Sequence, residues 1–204
     1  MFKKLASLFK KDSGKKASDE EVEVSKYMPE TDSLTTEERF TQNFIQNNGR
    51  FVYCENTDIL KENIDNILQE NDWYEKNAAT YSQLLKQLFS NYNLKFTKAE
   101  EADIFLCECE FLVAQNGSIL ISSEQIKEQK LSQLPENFIV YAKTSQIINS
   151  LSEGLQGIKR QKKKRIPTNI TTIKHFGIQE HEEVDFMKYG SSFKTLYLLL
   201  LEDL

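Results

Sequence analysis

Short, continuously apolar segments alternate along this sequence with longer segments in which apolar residues recur every three or four positions. A strand that is apolar on both faces must be covered on both, as happens in parallel sheets with helices on either side. The alternation therefore predicts an α/β domain with a mostly parallel sheet and helices on both of its faces. The predicted strands lie at 50–55, 102–108, 118–122, 137–142 and 195–203, with the last of them central in the sheet.

Amphipathic periodicity predicts the helices. Thr35 and Glu38 have the spacing of a capping box, and the Asn-Asn-Gly sequence at 47–49 is typical of a helix end. Thr80 and Gln83 form a second predicted capping box, which opens the most regular helical pattern in the chain. Helices are predicted over 35–46, 57–70, 80–92 and 147–158.

The first 33 residues differ in composition from the rest of the chain. Residues 12–33 are highly charged, poor in apolar residues and without periodicity, which is typical of a segment that does not pack. The residues before them carry two phenylalanines and two leucines on one helical face, which fits either a short membrane-surface helix or a solvated chain end. We therefore expect a flexible charged arm at 1–33 and one folded domain over 34–204.

Charge and cysteine content narrow the classes of function. The 204 residues carry a formal net charge of −5, which argues against nucleic-acid binding. The basic run at 159–165 is expected to be an exposed connector, with binding of an anionic cofactor tail as an alternative. The longest apolar run, at 196–201, is much shorter than the ~20 residues that span a bilayer. Three cysteines without a secretory signal predict reduced thiols and a cytoplasmic protein.

Few side chains have the chemistry of a catalyst or of a metal site. The sequence has no Walker loop, GxGxxG or GxSxG motif. Cys107 and Cys109 would share one face of a strand, but a metal site needs two or more further ligands at suitable spacing. We therefore expect buried structural thiols, no metal and no cofactor. The residues that could act as a general base or nucleophile are Glu108, Glu110, His175 and Asp185.

Three polar segments next to predicted strands offer hydrogen-bonding groups without net charge. If they met at one edge of the sheet they would form a ligand cleft, because open α/β sheets bind ligands beyond the carboxyl ends of their strands. The alternative is three ordinary turns, since Gly, Ser and Asn favour turns for local reasons. The predicted ligand-binding residues are Gln115, Asn116, Gly117 and Ser118 in the first segment, Asn169, Thr171 and Thr172 in the second, and Tyr189, Gly190, Ser191 and Ser192 in the third.

The order of these segments resembles that of the LUD domain family, the lactate-utilisation proteins of the LutC type. In that family a Glu-Thr-Gly-Thr segment precedes a strand, and a Leu-Pro strand and a helix follow. Here Gln-Asn-Gly-Ser at 115–118 stands in place of the first motif. Leu134 and Pro135 stand in place of the second, with Asn137 where histidine is usual. The resemblance covers residues 34–204.

The later motifs of the family are changed further in this chain. The family's Gly-Pro-Ser motif is replaced by the region that begins at Asn169, and Asp185 stands near the acid of the loop that follows. Tyr-Gly-Ser-Ser at 189–192 replaces a Gly-Pro turn before the last strand.

The resemblance implies a fold like that of the ribose-phosphate isomerase and CoA-transferase group. It also implies a role in oxidising L-lactate to pyruvate beside iron–sulfur oxidoreductase subunits. Gln115 replaces a carboxylate of the family, and an amide cannot act as a general base near neutral pH. We therefore expect an accessory or ligand-binding component whose ligand is a small carboxylate or an acyl group. The alternatives are a non-catalytic protein-interaction module and an enzyme of the isomerase or CoA-transferase type.

Overall fold

The computed structural model describes residues 34–162, 166–176 and 194–203, so the predicted arm at 1–33 lies outside it. The helices of this part are α1 (Thr36–Gln46), α2 (Thr57–Glu70), α3 (Gln83–Leu88), α4 (Ser123–Ile126) and α5 (Leu151–Gln161). The strands are β1 (Arg50–Cys54), β2 (Asn77–Ala79), β3 (Lys95–Phe96), β4 (Ile104–Glu108), β5 (Phe111–Val113), β6 (Ser118–Ser122), β7 (Asn137–Lys143), β8 (Ile147–Ile148), β9 (Ile170–Ile173) and β10 (Thr195–Leu201).

A six-stranded sheet in the order β1-β10-β7-β4-β2-β3 forms the centre of the fold, and its strands are all parallel. Strand β10 lies between β1 and β7, and Leu196 to Leu201 are buried along it. This confirms the predicted α/β class and the interior position of the last strand. The reason is the continuous apolar run, which can be buried only where both faces of a sheet are covered.

A second, four-stranded sheet in the order β8-β5-β6-β9 was not expected from the sequence. The pairs β5–β6 and β6–β9 are antiparallel, whereas β5–β8 is parallel. Ile147 and Ile148, predicted to begin a helix, form β8 instead. Helix α5 begins only at Leu151, where the Ser150 side chain accepts a hydrogen bond from the backbone N–H of Glu153 at 3.3 Å.

The main sheet is covered differently on its two faces. Helices α2 and α3 pack on one face around Ile64, Leu85 and Leu106. Helix α1 and the inner face of the second sheet cover the other face around Phe44, Ile119 and Phe138. Helix α5 covers the outer face of the second sheet. Three of the four predicted helices therefore flank the parallel sheet, and a small sheet, itself covered by α5, shares the covering role on one side.

Two helix starts illustrate how local signals and tertiary contacts combine. The capping box of α1 is present as predicted, with Thr35 and Glu38 exchanging side-chain to backbone hydrogen bonds of 3.2 and 3.0 Å. The N-cap of helix α3 lies two residues later than predicted, at Ser82 rather than at Thr80, and the helix ends at Leu88 rather than at 92. The Thr80 hydroxyl instead accepts a hydrogen bond from the backbone N–H of Ser82.

Helix α5 lies directly against the second sheet because it carries glycine at the contact. A Cβ atom on Gly157 would stand 2.7 Å from Cζ of Phe111, closer than carbon atoms can pack. The glycine that weakens the helix by sequence propensity is thus required by its packing. None of the helices in the described ranges combines the length and the apolar character that crossing a bilayer requires.

Lys194 fixes the chain at the entry to β10. Its side chain is 2% exposed, and its ammonium donates to the carbonyl oxygens of Leu134 and Pro135, each at 2.8 Å. The ammonium also lies 5.2 Å from the ring centre of Phe138. Burial lowers the pKa of Lys194 to about 8, and the charge of Glu136 offsets this only in part.

We predict that Lys194 makes the free energy of unfolding rise with pH. Between about pH 8 and the ordinary lysine value of about 10.4, the unfolded chain binds the proton that the folded chain has lost, so raising the pH favours the folded state. A neutral amine keeps two N–H donors and can retain both hydrogen bonds. Urea unfolding of the wild type and of Lys194→Met should show the wild type gaining on the order of 2 kcal/mol relative to the variant between about pH 7 and about pH 9.5. An equal difference at both pH values would contradict the assignment.

Candidate functional site

Strand β4 brings Glu108 to the carboxyl edge of the main sheet. Glu108 is the last residue of the strand and pairs with Tyr141 of β7. The Ser82 hydroxyl donates a hydrogen bond to Oε2 of Glu108 and accepts one from the backbone N–H of Leu85 at 3.2 Å. Since Ser82 also caps α3, its hydroxyl is held in one orientation and Glu108 is fixed with it.

A polar pocket of about 150 Å³ opens beside this carboxylate. The Tyr81 side chain is 40% exposed at its rim, and the Tyr81 hydroxyl donates to Oε1 of Gln129 at 2.8 Å. The Lys127 ammonium lies 5.6 Å from the centre of the Tyr81 ring, so a cation is present near the same rim. The lining residues of the pocket are Tyr81, Ser82, Leu106, Cys107, Glu108, Glu124 and Gln125.

The second carboxylate that the sequence singled out, Glu110, is buried close to this pocket. Its Oε1 accepts hydrogen bonds from the Lys162 ammonium at 2.7 Å, the Ser122 hydroxyl at 2.6 Å and the Gln125 amide at 3.1 Å. Burial on its own raises the pKa of Glu110, but these hydrogen bonds and the Lys162 charge outweigh it and lower the pKa below its ordinary value. Glu110 is therefore an ionised structural group whose Oε1 accepts three hydrogen bonds from within the protein.

Lys162 departs from the prediction for the basic run. Residues 159–161 continue helix α5, and the Lys162 side chain, only 18% exposed, turns inward to Glu110. Its ammonium also contacts the carboxylate of Glu124. Burial lowers the pKa of Lys162, but its hydrogen bonds to the two carboxylates outweigh this and raise it. Residues 163–165 lie outside the described ranges.

The three cysteines are free and buried, as predicted. Burial raises the pKa of Cys54, Cys107 and Cys109, so each remains a neutral thiol near neutral pH. Within the described ranges no three His, Cys, Asp or Glu side chains come together as a metal site.

The turn that contains Gln115–Ser118 is docked onto the end of helix α1. The Asn47 side-chain amide donates to the carbonyl of Asn116 at 2.7 Å, and the Asn43 amide donates to the carbonyl of Ala114 at 2.8 Å. Oδ1 of Asn116 accepts from the Ser118 hydroxyl at 2.7 Å. Oδ1 of Asn116 and the Ser118 hydroxyl, which the sequence offered to a ligand, are thus bonded to each other within the turn.

Gly117 is required for this contact. It has φ +62, and a Cβ atom there would lie 2.4 Å from the backbone carbonyl carbon of Asn43. The backbone therefore both needs a left-handed conformation and approaches another backbone too closely for any side chain. The position is explained by packing of the turn against α1.

The second predicted segment lies at the other end of the same strand. Thr171 on β9 pairs with Ile121 of β6, four residues beyond Gly117, a separation of about 14 Å along a strand. The Asn169 carbonyl accepts from the backbone N–H of Ser123 at 2.7 Å, at the end of β6 where Ser122 contacts Glu110. The structure therefore brings Asn169 and Thr171 towards Glu110 and separates them from the turn at Gly117. Thr172 is exposed.

The remaining candidates divide between the described and the undescribed parts of the chain. His175 follows β9 on the side of the Gly117 turn, and the adjacent Phe176 donates its backbone N–H to the carbonyl of Asn47 at 3.1 Å. His175 is thus placed away from Glu108 and Glu110. Asp185, Tyr189, Gly190, Ser191 and Ser192 lie outside the described ranges. That any of the predicted ligand-binding residues contacts a ligand stays a prediction.

Comparison with known proteins identifies the lineage of this fold. A sequence model of the LUD domain family matches residues 37–190. The chain belongs to the LUD domain family. Comparison with curated proteins gives no match. Among solved structures, the LUD domain described here is similar to the crystal structure of a DUF162 family protein from Deinococcus radiodurans, with a TM-score of 0.58 and 13% identity. The match covers 83% of this chain and 99% of the other, and it shows a shared fold.

Three residues of the site in this LUD domain were missed in the sequence. Ser82 was hidden inside a predicted helix, although a serine before an apolar helical pattern is a signal for a cap. Gln125 lies in the four-residue helix α4, which is too short for periodicity to reveal. Lys162 looks like its basic neighbours, and only the position of Glu110, 52 residues away in sequence, distinguishes it.

We predict that Gly117→Ala lowers the free energy of unfolding by about 2 kcal/mol or more, because a strained backbone and a clash with α1 add together. Thermal and urea unfolding measure this loss. Gln115→Ala, at an exposed position in the same turn, is the matched control and should change stability by no more than about 0.5 kcal/mol. Equal effects of the two substitutions would show that the close contact of the turn with α1 is not formed.

Proposed function

We propose that this LUD domain is a cytoplasmic accessory component of L-lactate utilisation that binds a small hydroxylated ligand and leaves the redox step to iron–sulfur oxidoreductase subunits. Membership of the LUD domain family supports a role in lactate utilisation, the process after which the family is named. The ligand site is the pocket beside Glu108.

One observation carries the choice of site. Glu108 stands at the carboxyl end of an interior strand of the parallel sheet, faces a pocket and is held by the Ser82 hydroxyl. Ligands of open α/β sheets bind at this edge, where the loops leave the layer. A carboxylate that is already oriented can accept a hydrogen bond from a ligand hydroxyl at little cost in ordering.

The chemistry of L-lactate suggests how it would lie in this pocket. Its hydroxyl donates to Glu108, as the Ser82 hydroxyl does in the free protein. Its carboxylate points to the rim, where Lys127 offers a positive charge. Pyruvate has no hydroxyl donor and leaves Glu108 without that bond, so a site of this kind favours lactate.

The burial and hydrogen bonding of the candidate catalytic side chains support a role without redox catalysis. The three thiols are buried and neutral, and Glu110 is engaged by Lys162, Ser122 and Gln125. The turn at 115–118, where the resemblance places an acidic family motif, carries an amide and packs against helix α1.

We predict that L-lactate binds more tightly than pyruvate, and that Glu108→Gln weakens lactate binding about tenfold or more. A hydrogen bond to a charged group contributes about 1.5–3 kcal/mol, and about 1.4 kcal/mol corresponds to tenfold in affinity. Isothermal titration with L-lactate, pyruvate and CoA measures both effects. Glu62→Gln, on an exposed position of α2, is the control. Binding that is unchanged in Glu108→Gln, or no heat from any of the three ligands, would overturn the proposed site.

A second candidate, a protein-interaction module, is favoured by the outer face of helix α5. Leu151 and Leu155 lie one turn apart and are 37% and 36% exposed, with the exposed cations Lys159 and Arg160 following them. An apolar strip beside positive charge suits an acidic partner surface with an apolar centre.

The interaction module predicts co-elution with iron–sulfur oxidoreductase subunits of the native host in size-exclusion chromatography. The double variant Leu151→Asp, Leu155→Asp should abolish co-elution, because it places charge in the apolar strip. Leu84→Asp, at a site that is 50% exposed on α3, is the matched control. Separate elution of the wild-type protein would remove this candidate.

A further inference from the structure

Among the cations of the basic run that the structure describes, at 159, 160 and 162, Lys162 differs from its neighbours. Lys159 and Arg160 are exposed on α5, whereas Lys162 reaches into the protein and lies between the carboxylates of Glu110 and Glu124. Taking an ammonium out of water costs free energy unless a carboxylate pairs with it. The buried position of Lys162 therefore depends on its contacts with Glu110 and Glu124.

The two carboxylates belong to the structure around the candidate pocket. Glu124 lies in helix α4 and lines the pocket directly, next to Gln125. Glu110 accepts a hydrogen bond from the side-chain amide of Gln125 at 3.1 Å and another from the hydroxyl of Ser122, the N-cap of α4, at 2.6 Å. Lys162 thus contacts one wall residue and anchors the other through Glu110.

Helix α4 cannot hold this wall by itself. It has four residues, and a single helical turn is unstable in water without tertiary contacts. Its capping box, in which Ser122 and Gln125 bond each other, fixes its first turn but not its position in the fold. Besides the buried side chain of Ile126 and the hydrogen bond from the backbone N–H of Ser123 to the carbonyl of Asn169, its position depends on Glu110. Glu110 can remain charged in its buried site because Lys162 pairs with it.

We propose that Lys162 is a positioning residue for the ligand pocket: it holds helix α4 in place through Glu110 and Glu124, and it offsets their negative charge so that an anionic ligand can enter beside Glu108. This inference rests on the proposed function for its second half only. The first half concerns the position of α4 and holds with or without a ligand.

The test compares Lys162→Met with Lys162→Arg, which keeps the charge, and with Lys159→Met, which removes an exposed cation of the same run. The first measurement is amide hydrogen exchange of peptides covering 122–126. We expect Lys162→Met to lose at least tenfold protection there and the two control variants to keep it. Unchanged protection in Lys162→Met would overturn the proposal.

The second measurement is the affinity for L-lactate relative to lactamide, its neutral analogue. We expect Lys162→Met to lower this ratio about tenfold and Lys162→Arg to restore it, because a purely structural loss would weaken both ligands alike. An unchanged ratio with both ligands bound would overturn the electrostatic half. If neither ligand binds the wild type while protection at 122–126 still depends on Lys162, the proposed function fails and the positioning of α4 stands.

Loss of the cooperative thermal transition in Lys162→Met would make that variant unsuitable. Glu124→Gln then carries the exchange test, because it removes only the half-exposed partner of the same ammonium. We expect it to reduce protection at 122–126 by a smaller factor. No change in Glu124→Gln would overturn the proposal in that case.

Discussion

The buried carboxylate of Glu110 lies where three parts of the fold meet, and its pairing is the constraint on which their arrangement depends. Glu110 follows β4 of the main sheet and leads into β5 of the second sheet. Ser122 at the end of β6 and Lys162 after the end of α5 both bond to it. Removing one partner of such a pair leaves an uncompensated charge, which typically costs ~3–5 kcal/mol. The two sheets and α5 therefore meet at this ionic contact, in addition to the apolar core that they share.

The remainder of the architecture follows from the need to cover a parallel sheet on both faces. Helices α2 and α3 cover one face, whereas α1 covers only part of the other. The second sheet completes that covering, and it has an outer face that α5 then covers in turn. The contact of Phe111 with Gly157 shows how closely this last layer packs. Because α1 and the second sheet lie side by side on the same face of the main sheet, the turn at Gly117 packs directly against α1 and leaves no room for a side chain.

Elements that form because of their own residues could be predicted from the sequence, whereas elements that form only through pairing with distant residues could not. Long apolar strands such as β7 and β10 were predictable because burial on both faces selects their composition directly. Strand β9 was not, because the polar residues at 167–169 predict a turn, although Thr171 and Thr172 just after them are β-branched and favour the strand that pairs with β6. The three-residue strand β2 likewise depends on its pairing with β4.

In the candidate site, too, some features could be predicted from the sequence and others depend on distant residues. The carboxylates of Glu108 and Glu110 could be selected from sequence as chemical groups, but their roles could not. Ser82 orients Glu108 from 26 residues away, and Lys162 neutralises Glu110 from 52 residues away. The predicted motif at 115–118 was selected for its polar side chains, yet its contact with α1 is made through a backbone carbonyl, and the side chains of Asn116 and Ser118 bond each other. Composition thus identified hydrogen-bonding capacity, whereas the fold determined which partner uses it.

The central claim is that this LUD domain binds its ligand beside Glu108, at the carboxyl edge of the main sheet, and not at the turn that contains Gly117. Backbone amide NMR shifts during titration with L-lactate test it most directly. The claim predicts saturable shifts concentrated at Ser82, Glu108 and Gln125, with the amides of Gly117 and Ser118 unchanged. Shifts centred on Gly117 and Ser118, or none at saturating lactate, would contradict it.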